Sequence, residues 1–501
     1  MKRLKLILAI VVAVFTTFVG GKALAYDITV NNGGSGTYES YQIFTGDLSD
    51  STLSNVKWGN GITAAGQTAL QNKYNATSAA ELAEKLSEFS TSEAEAFAKE
   101  AAKYLQNPGT LTGLAAGYYL VQNKTVGENE AYTNYILEVV KNVTVTPKTD
   151  VPTVEKKVKD TNDTTGVTSD WQDSADHDIN DKVPFQLTAT LPENYDSYNS
   201  YYLNFSDELS AGLTYNNDAK VYVVNGSDRK EVTNYFFAGK DKGKLSFAIK
   251  DLKQIAVDGA ATGAATIDKN SKIVVEYTAT LNENAVIGSA GNPNTVELIY
   301  SNNPNNSGDG NQTPGTPPTT PPTTPPTPPE KPGTTPKDTV IVFTYKTVVN
   351  KVDQNNKALE GAGFTLYKKV NGEWKQVKVI SASEATSFEF TGLDDGDYKL
   401  SETTTPSGYN TIADITFTVE AEHETESDAP QLTKLNGVAA SGEITFTPDK
   451  TAGSLTTEVQ NKKGSILPST GSVGTTLLYL VGAALVVAAG VLLVTKKRME
   501  A

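Results

Sequence analysis

Apolar and polar residues alternate along many short stretches of the chain, which is the pattern of half-buried β-strands. The clearest stretches are residues 183–191, 273–281, 296–300, 340–345, 363–367 and 415–419. Glycine, asparagine and aspartate lie between them, as expected for turns. Many short strands separated in this way favour immunoglobulin-like β-sandwiches. The sequence therefore predicts a mainly β protein.

The region before residue 150 adds a second pattern, in which apolar residues are spaced for one face of a helix. The residues of this pattern are Leu82, Leu86, Phe89, Phe97, Ala101 and Tyr104. Ser78 and Glu81 have the spacing of a capping box. Ser92 and Glu95 repeat that spacing, so a helix is expected to begin at each serine. With strands expected around 38–44, 117–122 and 135–146, this region is predicted to be a β-domain with added helices.

Two longer apolar runs lie at the ends of the chain. Residues 6–19 follow three cations and precede the small residues 23–25, which predicts a signal peptide over 1–25. Residues 477–494 carry no charge and are followed by Lys496, Lys497 and Arg498. As a helix this second run would extend about 28 Å, enough for the hydrocarbon core of a bilayer. We expect an exported chain with a C-terminal transmembrane helix and a cytoplasmic basic tail.

Composition narrows the function classes. The formal net charge is −15, which disfavours nucleic acid as a partner. The chain has no cysteine, so an exported protein must be stabilised by something other than disulfides. Its two histidines, His177 and His423, are far apart in the sequence, and no catalytic dyad or zinc set is expected. The sequence therefore predicts no metal, no cofactor and no enzyme.

Proline marks the expected domain boundaries. Residues 304–338 are rich in Thr-Pro-Pro repeats, which favour an extended polyproline II spacer. A second boundary is expected near 148–153, between Pro147 and Pro152. The predicted divisions are a signal peptide at 1–25, domains at 26–149 and 150–303, a linker at 304–338, a domain at 339–463, and a C-terminal segment at 464–501.

The C-terminal segment carries a short motif directly before its apolar run. Leu467-Pro468-Ser469-Thr470-Gly471, the apolar run and the basic tail follow one another in that order. This arrangement resembles the cell-wall sorting signal of Gram-positive surface proteins. In that family a sortase cleaves between the Thr and Gly of the motif and transfers the Thr carbonyl to an amine. The resemblance implies cleavage after Thr470, brief membrane retention, and attachment to peptidoglycan.

The third domain contains the most specific internal motif. Asn350-Lys351-Val352-Asp353 is followed by Tyr398-Lys-Leu-Ser-Glu402-Thr-Thr-Thr-Pro406-Ser-Gly408-Tyr409, and the last expected strand runs into Asn461. The middle segment fits the pattern YxLxExxxPxGY of Cna B-type domains, which the region resembles. In that family a Lys and an Asn form a spontaneous isopeptide bond, assisted by the Glu of the motif. The resemblance implies a Lys351–Asn461 bond with Glu402 as the assisting acid.

The second domain shows a looser version of this arrangement. It opens with Pro-Thr-Val-Glu-Lys156-Lys157-Val and closes with Gly-Asn292-Pro-Asn294. It resembles the isopeptide-forming domain found in the middle of fimbrial shafts. Strand alternation places Lys156 on the same face as two valines, so Lys156 is expected to point inward. The partner is Asn294, or else Asn292. The assisting acid is Asp207, with Glu276 as the alternative.

The first domain ends in Val143-Thr-Val-Thr-Pro147-Lys148. This resembles the pilin motif WxxxVxVYPK, whose Lys supplies the amine for sortase-catalysed polymerisation. Val139 replaces the Trp of that motif, and Thr146 replaces the Tyr. The resemblance implies an intersubunit amide between Thr470 of one subunit and Lys148 of the next.

Together these motifs resemble the backbone subunit of a sortase-assembled pilus. The family implies tandem Cna B-type sandwiches and a cell-surface location. The implied partners are a pilus sortase, a housekeeping sortase, identical subunits, minor and tip pilins, peptidoglycan and host surface ligands. The alternatives are a monomeric wall-anchored adhesin with a Cna B-type stalk and a minor basal pilin. The Thr-Pro-Pro spacer favours the adhesin slightly, because a stalk is expected there. An exported enzyme is a more distant alternative.

Overall fold

The computed structural model describes residues 25–31, 35–49, 52–127, 130–146, 151–262, 265–308, 313–440, 444–464 and 474–499. These form three β-rich bodies in chain order and a C-terminal helix. The mainly β fold predicted from the alternating pattern is therefore confirmed. The expected signal peptide, apart from Ala25, lies outside the described residues, as do Lys148 and the segment 467–471.

The first body combines a four-stranded sheet with three helices. Its elements are β1 (Ile28–Val30), β2 (Thr37–Ser49), β3 (Thr52–Trp58), α1 (Ala64–Lys73), α2 (Ala79–Leu86), α3 (Thr91–Ala102), β4 (Gly117–Thr125), β5 (Asn134–Val139) and β6 (Val143–Val145). The sheet order is β3-β2-β4-β5, and β1 pairs with β6 in parallel. The helices cover one face of the sheet and bury Leu82, Phe97 and Ala101 against Phe44. The predicted helix faces are therefore the buried ones.

Helix capping in this body differs from the prediction in one place. Ser78 caps α2 as expected, and its side chain accepts a hydrogen bond from the Glu81 amide. However, α3 is capped by Ser90, which forms a complete capping box with Glu93, and not by Ser92 with Glu95. The two pairs have the same spacing, so sequence alone could not separate them. Ser90 caps the helix because it lies just outside the turn, with extended backbone.

The second body is a sandwich of two sheets. Its elements are β7 (Val154–Val158), β8 (Thr161–Asn162), β9 (Val167–Thr168), β10 (Ser174–Asp176), β11 (Lys182–Thr190), β12 (Leu203–Leu209), β13 (Leu213–Tyr215), β14 (Lys220–Asn225), β15 (Asp228–Glu231), β16 (Phe237–Asp241), β17 (Lys244–Ile249), α4 (Leu252–Thr262), β18 (Lys272–Leu281), β19 (Asn292–Tyr300), β20 (Gly333–Thr334) and β21 (Asp338–Phe343). One sheet has the order β15-β14-β18-β11-β7, and the other has the order β10-β21-β19-β12-β17-β16. Between them lies a core rich in aromatic residues, including Phe185, Phe205 and Phe247.

The Thr-Pro-Pro segment is a loop of the second body rather than a spacer between bodies. Gly333 pairs with Tyr300, so the chain leaves β19 and returns to the same end of that strand. It then runs back along β19 as β21, whose Val340 pairs with Asn294. The composition marks a segment without a core, but strand pairing decides where its two ends lie. The boundary expected at 339 consequently moves to the end of β21.

A single residue separates the third body from the second. Its strands are β22 (Tyr345–Asp353), β23 (Gly363–Val370), β24 (Glu373–Ile380), β25 (Ser387–Leu393), β26 (Gly396–Thr404), β27 (Ile415–His423), β28 (Leu432–Ala439), β29 (Thr447–Asp449) and β30 (Ser454–Asn461). They form two sheets, β25-β22-β30-β29 and β24-β23-β26-β27-β28. Thr344 alone separates β21 from β22; it is buried and donates a hydrogen bond to the Leu393 carbonyl oxygen. The joint between these bodies is therefore compact.

The C-terminal helix, α5 (Gly474–Met499), spans the apolar run that the sequence marks. Its described side chains from Tyr479 to Leu492 are all exposed. Among the residues that the structure describes, no helix is both long and apolar enough to cross a membrane. The helix is thus present where it is expected, and the membrane span remains a prediction.

Candidate cross-linking sites

In the second body, Lys156, Asp207 and Asn294 lie together in the core. Lys156 comes from β7 in one sheet, whereas Asp207 and Asn294 come from the adjacent strands β12 and β19 of the other. All three residues are 0% exposed. Lys156 Nζ lies 2.5 Å from Asp207 Oδ1. The inward direction expected for Lys156 therefore places its amine beside the preferred acid.

Tyr277 completes this site, and sequence reasoning did not select it. Its hydroxyl donates to Asp207 Oδ2 at 2.5 Å and accepts from Asn294 Nδ2 at 2.7 Å. Lys156 Nζ lies 3.2 Å from the same hydroxyl. The phenol thus connects all three groups. The signal was available, because alternation along β18 puts Tyr277 and Glu276 on opposite faces.

Glu276 and Asn292, the alternative acid and the alternative asparagine, make other contacts in the structure. Glu276 points away from the core and forms an ion pair with Arg229 at 2.6 Å. It also accepts a hydrogen bond from Gln186. Asn292 is buried, but its amide is committed to Val286, from whose backbone N–H it accepts and to whose carbonyl oxygen it donates. The geometry therefore favours Asp207 over Glu276 and Asn294 over Asn292.

Burial favours the uncharged form of the Lys156 amine. It lowers the pKa of Lys156 to about 8, even though the adjacent Asp207 carboxylate acts in the opposite direction. At pH 7 roughly a tenth of this amine is then uncharged, far more than of a free lysine with its pKa near 10.4. Burial and the nearby Asp207 raise the pKa of Tyr277 well above its usual value, so the phenol stays a neutral hydrogen-bond donor.

The Asn294 side chain has one group left unpaired. Its Oδ1 is buried and has no hydrogen-bond partner in the described part of the chain. A buried carbonyl oxygen without a donor is unfavourable. A hydrogen-bond donor at this oxygen would polarise the amide carbon toward attack by the amine. The unpaired oxygen marks the carbonyl that such a reaction would use.

The third body contains a second set of a lysine, a carboxylic acid and an asparagine. Lys351 and Asn461 lie on the adjacent parallel strands β22 and β30, and Glu402 lies on β26 in the facing sheet. Lys351 Nζ is 3.5 Å from Glu402 Oε1, and both side chains are fully buried. Asn461 Nδ2 donates to Glu402 Oε2 at 3.0 Å. Glu402 therefore lies between the two residues that the motif pairs.

The electrostatics of this set follow those of the first. Burial lowers the pKa of Lys351, and Glu402 opposes this. Asn461 Oδ1 is buried and has no hydrogen-bond partner among the described residues, whereas Glu402 Oε1 faces the Lys351 amine at 3.5 Å. The remaining oxygen of Glu402 is held by the Ile412 amide at 3.2 Å. A hydrogen-bond donor at Asn461 Oδ1 would polarise this amide in the same way.

Comparison with known proteins extends the resemblance beyond these motifs. Residues 346–431 match the model of the SpaA family, described as a prealbumin-like fold domain. Residues 459–501 match the LPXTG cell wall anchor motif. Since the anchor match covers the described end of the third body and the segment 467–471, it confirms the cell-wall location expected from Leu467-Pro468-Ser469-Thr470-Gly471.

A similar protein and a similar solved structure were also found. The chain is 25% identical over 461 residues to the trypsin-resistant surface T6 protein of Streptococcus pyogenes serotype M6, covering 77% of this chain and 75% of the relative. Its fold is similar to the solved structure of the T6 backbone pilin of the same serotype, with a TM-score of 0.55 and 16% identity. That match covers 88% of this chain and 98% of the other. These findings confirm that the chain resembles the backbone subunits of sortase-assembled pili, with a prealbumin-like domain in its third body and an LPXTG cell-wall anchor at its end.

Proposed function

We propose that the chain is the backbone subunit of a sortase-assembled pilus, stabilised by one Lys–Asn amide in each of its last two bodies. The observation that carries this proposal is the pair of buried Lys, acid and Asn sets, built from different strands yet alike in composition. Burying a lysine and a carboxylate is costly unless they are paired, so two such sets without a role would be unusual. The similarity in fold to a backbone pilin supports the same conclusion.

The proposed cross-link forms by amide exchange. The proton of the lysine ammonium moves to the acid, Asp207 or Glu402. The uncharged Nζ then attacks Cγ of the asparagine and a new C–N bond forms. The Cγ–Nδ2 bond breaks as one Nζ proton passes to Nδ2, and ammonia leaves. The protonated acid assists by donating a hydrogen bond to the asparagine carbonyl oxygen. Because the lysine and the asparagine are each held by a common neighbour, Tyr277 in the second body and Glu402 in the third, the reaction has the high effective concentration of an intramolecular process. Each site reacts once, so the protein is not an enzyme.

The chain linkage would be made by a pilus sortase. The sortase cleaves between Thr470 and Gly471 and transfers the Thr470 carbonyl to Lys148 Nζ of the next subunit. A housekeeping sortase then joins the last Thr470 to peptidoglycan. Minor and tip pilins would complete the fibre and contact host surface ligands.

The compact joint between the second and third bodies favours this function over the adhesin alternative. The argument for a stalk depended on a spacer at 304–338. That segment is a loop whose ends pair at Tyr300 and Gly333, and Thr344 alone connects the bodies. A fibre built from closely joined bodies suits a backbone subunit better than a flexible stalk.

An immunoblot of boiled cell-wall extract tests the polymer. Wild type should give a ladder of very large species, and Lys148→Ala should reduce it to a single band. Lys141→Ala is the matched control, because Lys141 is exposed just upstream and should leave the ladder intact. A ladder that persists in Lys148→Ala would move the acceptor to another lysine. A single band in all strains would favour the monomeric adhesin.

A further inference from the structure

The proposed cross-links enclose different shares of the two bodies. In the third body, Asn461 ends the last strand, so a bond to Lys351 spans almost the whole body. In the second body, Asn294 lies near the start of β19, and the chain continues through the rest of β19, the Thr-Pro-Pro segment, β20 and β21. Residues 295–343, which we call the outer segment, therefore lie outside the loop that the Lys156–Asn294 bond would close.

The two ends of the outer segment lie side by side in the folded body. β21 runs antiparallel to β19, and its Val340 pairs with Asn294. Phe343, the last residue of β21, therefore lies only a few residues along the sheet from Asn294. The outer segment contains roughly 50 residues, with a contour of about 165 Å when extended, but adds almost nothing to the length of the folded body.

Tension along the fibre would have to pass through the outer segment. Force that enters the second body at β7 reaches Lys156 and crosses the amide to Asn294, so the strands between these two residues are bypassed. The force leaves through β21 and Thr344, which lead directly into β22. The only covalent route from Asn294 to Thr344 runs along the outer segment. Non-covalent contacts alone therefore keep this segment folded under tension.

Contacts of β21 hold the outer segment closed. β21 pairs with β19 over five residues and with β10 over three. Its Val340 and Val342 are 0% exposed. The Asp338 carboxylate also accepts a hydrogen bond from the Lys156 backbone N–H at 2.6 Å. Core strands are among the last parts of a fold to open, so the segment stays folded at rest and separates only under load.

The middle of the outer segment offers little resistance once β21 has separated. Residues 313–332 form no helix or strand, and nearly all of them are exposed. β20 adds only two residue pairs, Thr334 with Ile299 and Gly333 with Tyr300. Polyproline II backbone has no internal hydrogen bonds to break. Separation of β21 would therefore release most of the length of the outer segment at once.

We propose that the second body stores length that tension releases, through separation of β21 from β19 and β10. This extension depends on the Lys156–Asn294 cross-link of the proposed function. It amounts to roughly 120–160 Å per subunit, with the smaller value where β19 stays paired with β12. The cross-linked core remains folded, so β19 is available to β21 again when tension falls. The fibre thereby lengthens reversibly, which lowers the peak force on its attachment.

Single-molecule force spectroscopy of the mature chain, held at its two ends, tests the proposal. The wild type should show a step of roughly 120–160 Å, and deletion of residues 313–332 should shorten that step by about 70 Å. Lys156→Met removes the amine of the cross-link and should replace the step with one of about 600 Å, because the whole second body then unravels. A wild type that already gives this long step lacks the cross-link, which would overturn both the proposed function of Lys156 and the stored length.

A disulfide between β19 and β21 provides the matched control. The hydroxyls of Thr295 and Thr339 lie 2.8 Å apart on these strands, so cysteines at the two positions need little movement to bridge, and the chain has no cysteine of its own. Thr295→Cys combined with Thr339→Cys should abolish the step when oxidised and restore it when reduced. Intact mass shows whether the Lys156–Asn294 bond is present in each sample. A cross-linked wild type without the step, or a step that survives the oxidised disulfide, would overturn the stored length and leave the cross-link standing.

Discussion

Lys156 Nζ and Asp207 Oδ1 lie 2.5 Å apart with both side chains removed from solvent, and they come from opposite sheets of one sandwich. An ion pair in this position must meet a large desolvation cost. Transfer of the proton to the acid removes both charges at once and leaves an amine beside Asn294. The contact is therefore compatible with the arrangement that the proposed reaction needs.

Replacing either assisting acid should change the mass of the mature protein, because one cross-link would no longer form. The wild type should lack two ammonia molecules relative to its sequence, one for each cross-link. Asp207→Asn or Glu402→Gln should restore one ammonia each, because the asparagine carbonyl then loses its acid. Intact-mass spectrometry measures this directly. Glu276→Gln serves as the control, since Glu276 faces Arg229 and not Lys156, and an effect there equal to that of Asp207→Asn would reverse the assignment.

Loss of the third-body cross-link should lower stability by about 4–5 kcal/mol. This is the entropy expected for closing a loop of roughly 110 residues, by analogy with disulfides. Lys351→Met keeps most of the aliphatic chain and removes the amine, so calorimetry of this variant isolates the effect of the bond. Lys346→Met is a matched control on the same strand, because Lys346 points outward toward Glu389. Equal unfolding temperatures for the wild type and Lys351→Met would argue against a bond.

The rate of cross-linking in the second body should depend on pH. The reactive state has an uncharged amine and a protonated acid, so the pair must keep one proton between them. That proton is lost to solvent as the pH rises through the folded-state pKa of Lys156, which is about 8. The rate should therefore fall as the pH rises above about 8, by about tenfold per pH unit. Freshly synthesised chain moved into buffers of different pH, with the Lys156 peptide followed by mass spectrometry, gives the profile. A rate that keeps rising above about pH 8 would mean that the reaction does not need a protonated acid.

Shortening the Thr-Pro-Pro segment should preserve the fold. Because Tyr300 and Gly333 already pair, removing about 20 residues between them only shortens a loop. Each halving of loop length lowers the closure cost by about 0.6 kcal/mol, so stability should stay the same or rise by about 1 kcal/mol. Thermal unfolding and the subunit repeat of isolated fibres are the measurements. A shorter repeat would show that the segment separates bodies along the fibre axis.

Sequence patterns predicted individual elements better than the relationships between them. Alternation located β11 and β18 almost to the residue. The resemblance to Cna B-type domains identified Lys351, Glu402 and Asn461, which the fold brings together. Local patterns cannot report which sheet a strand joins, so the pairing of β21 with β19 was missed. Tyr277 was missed for a related reason. Its role depends on a hydroxyl reaching across the sandwich to strands distant in sequence.

The parallel pairing of β22 and β30 determines how the third body would transmit tension. A pull along the fibre enters at the start of β22 and leaves at the end of β30, next to the sorting signal. With an amide between Lys351 and Asn461, the covalent path uses only the few residues before Lys351 and then crosses directly to the end of the body. Without it, unravelling would release about 370 Å of contour length from roughly 110 residues. With the bond in place, this body would not lengthen under tension, and most of its strands would carry no load.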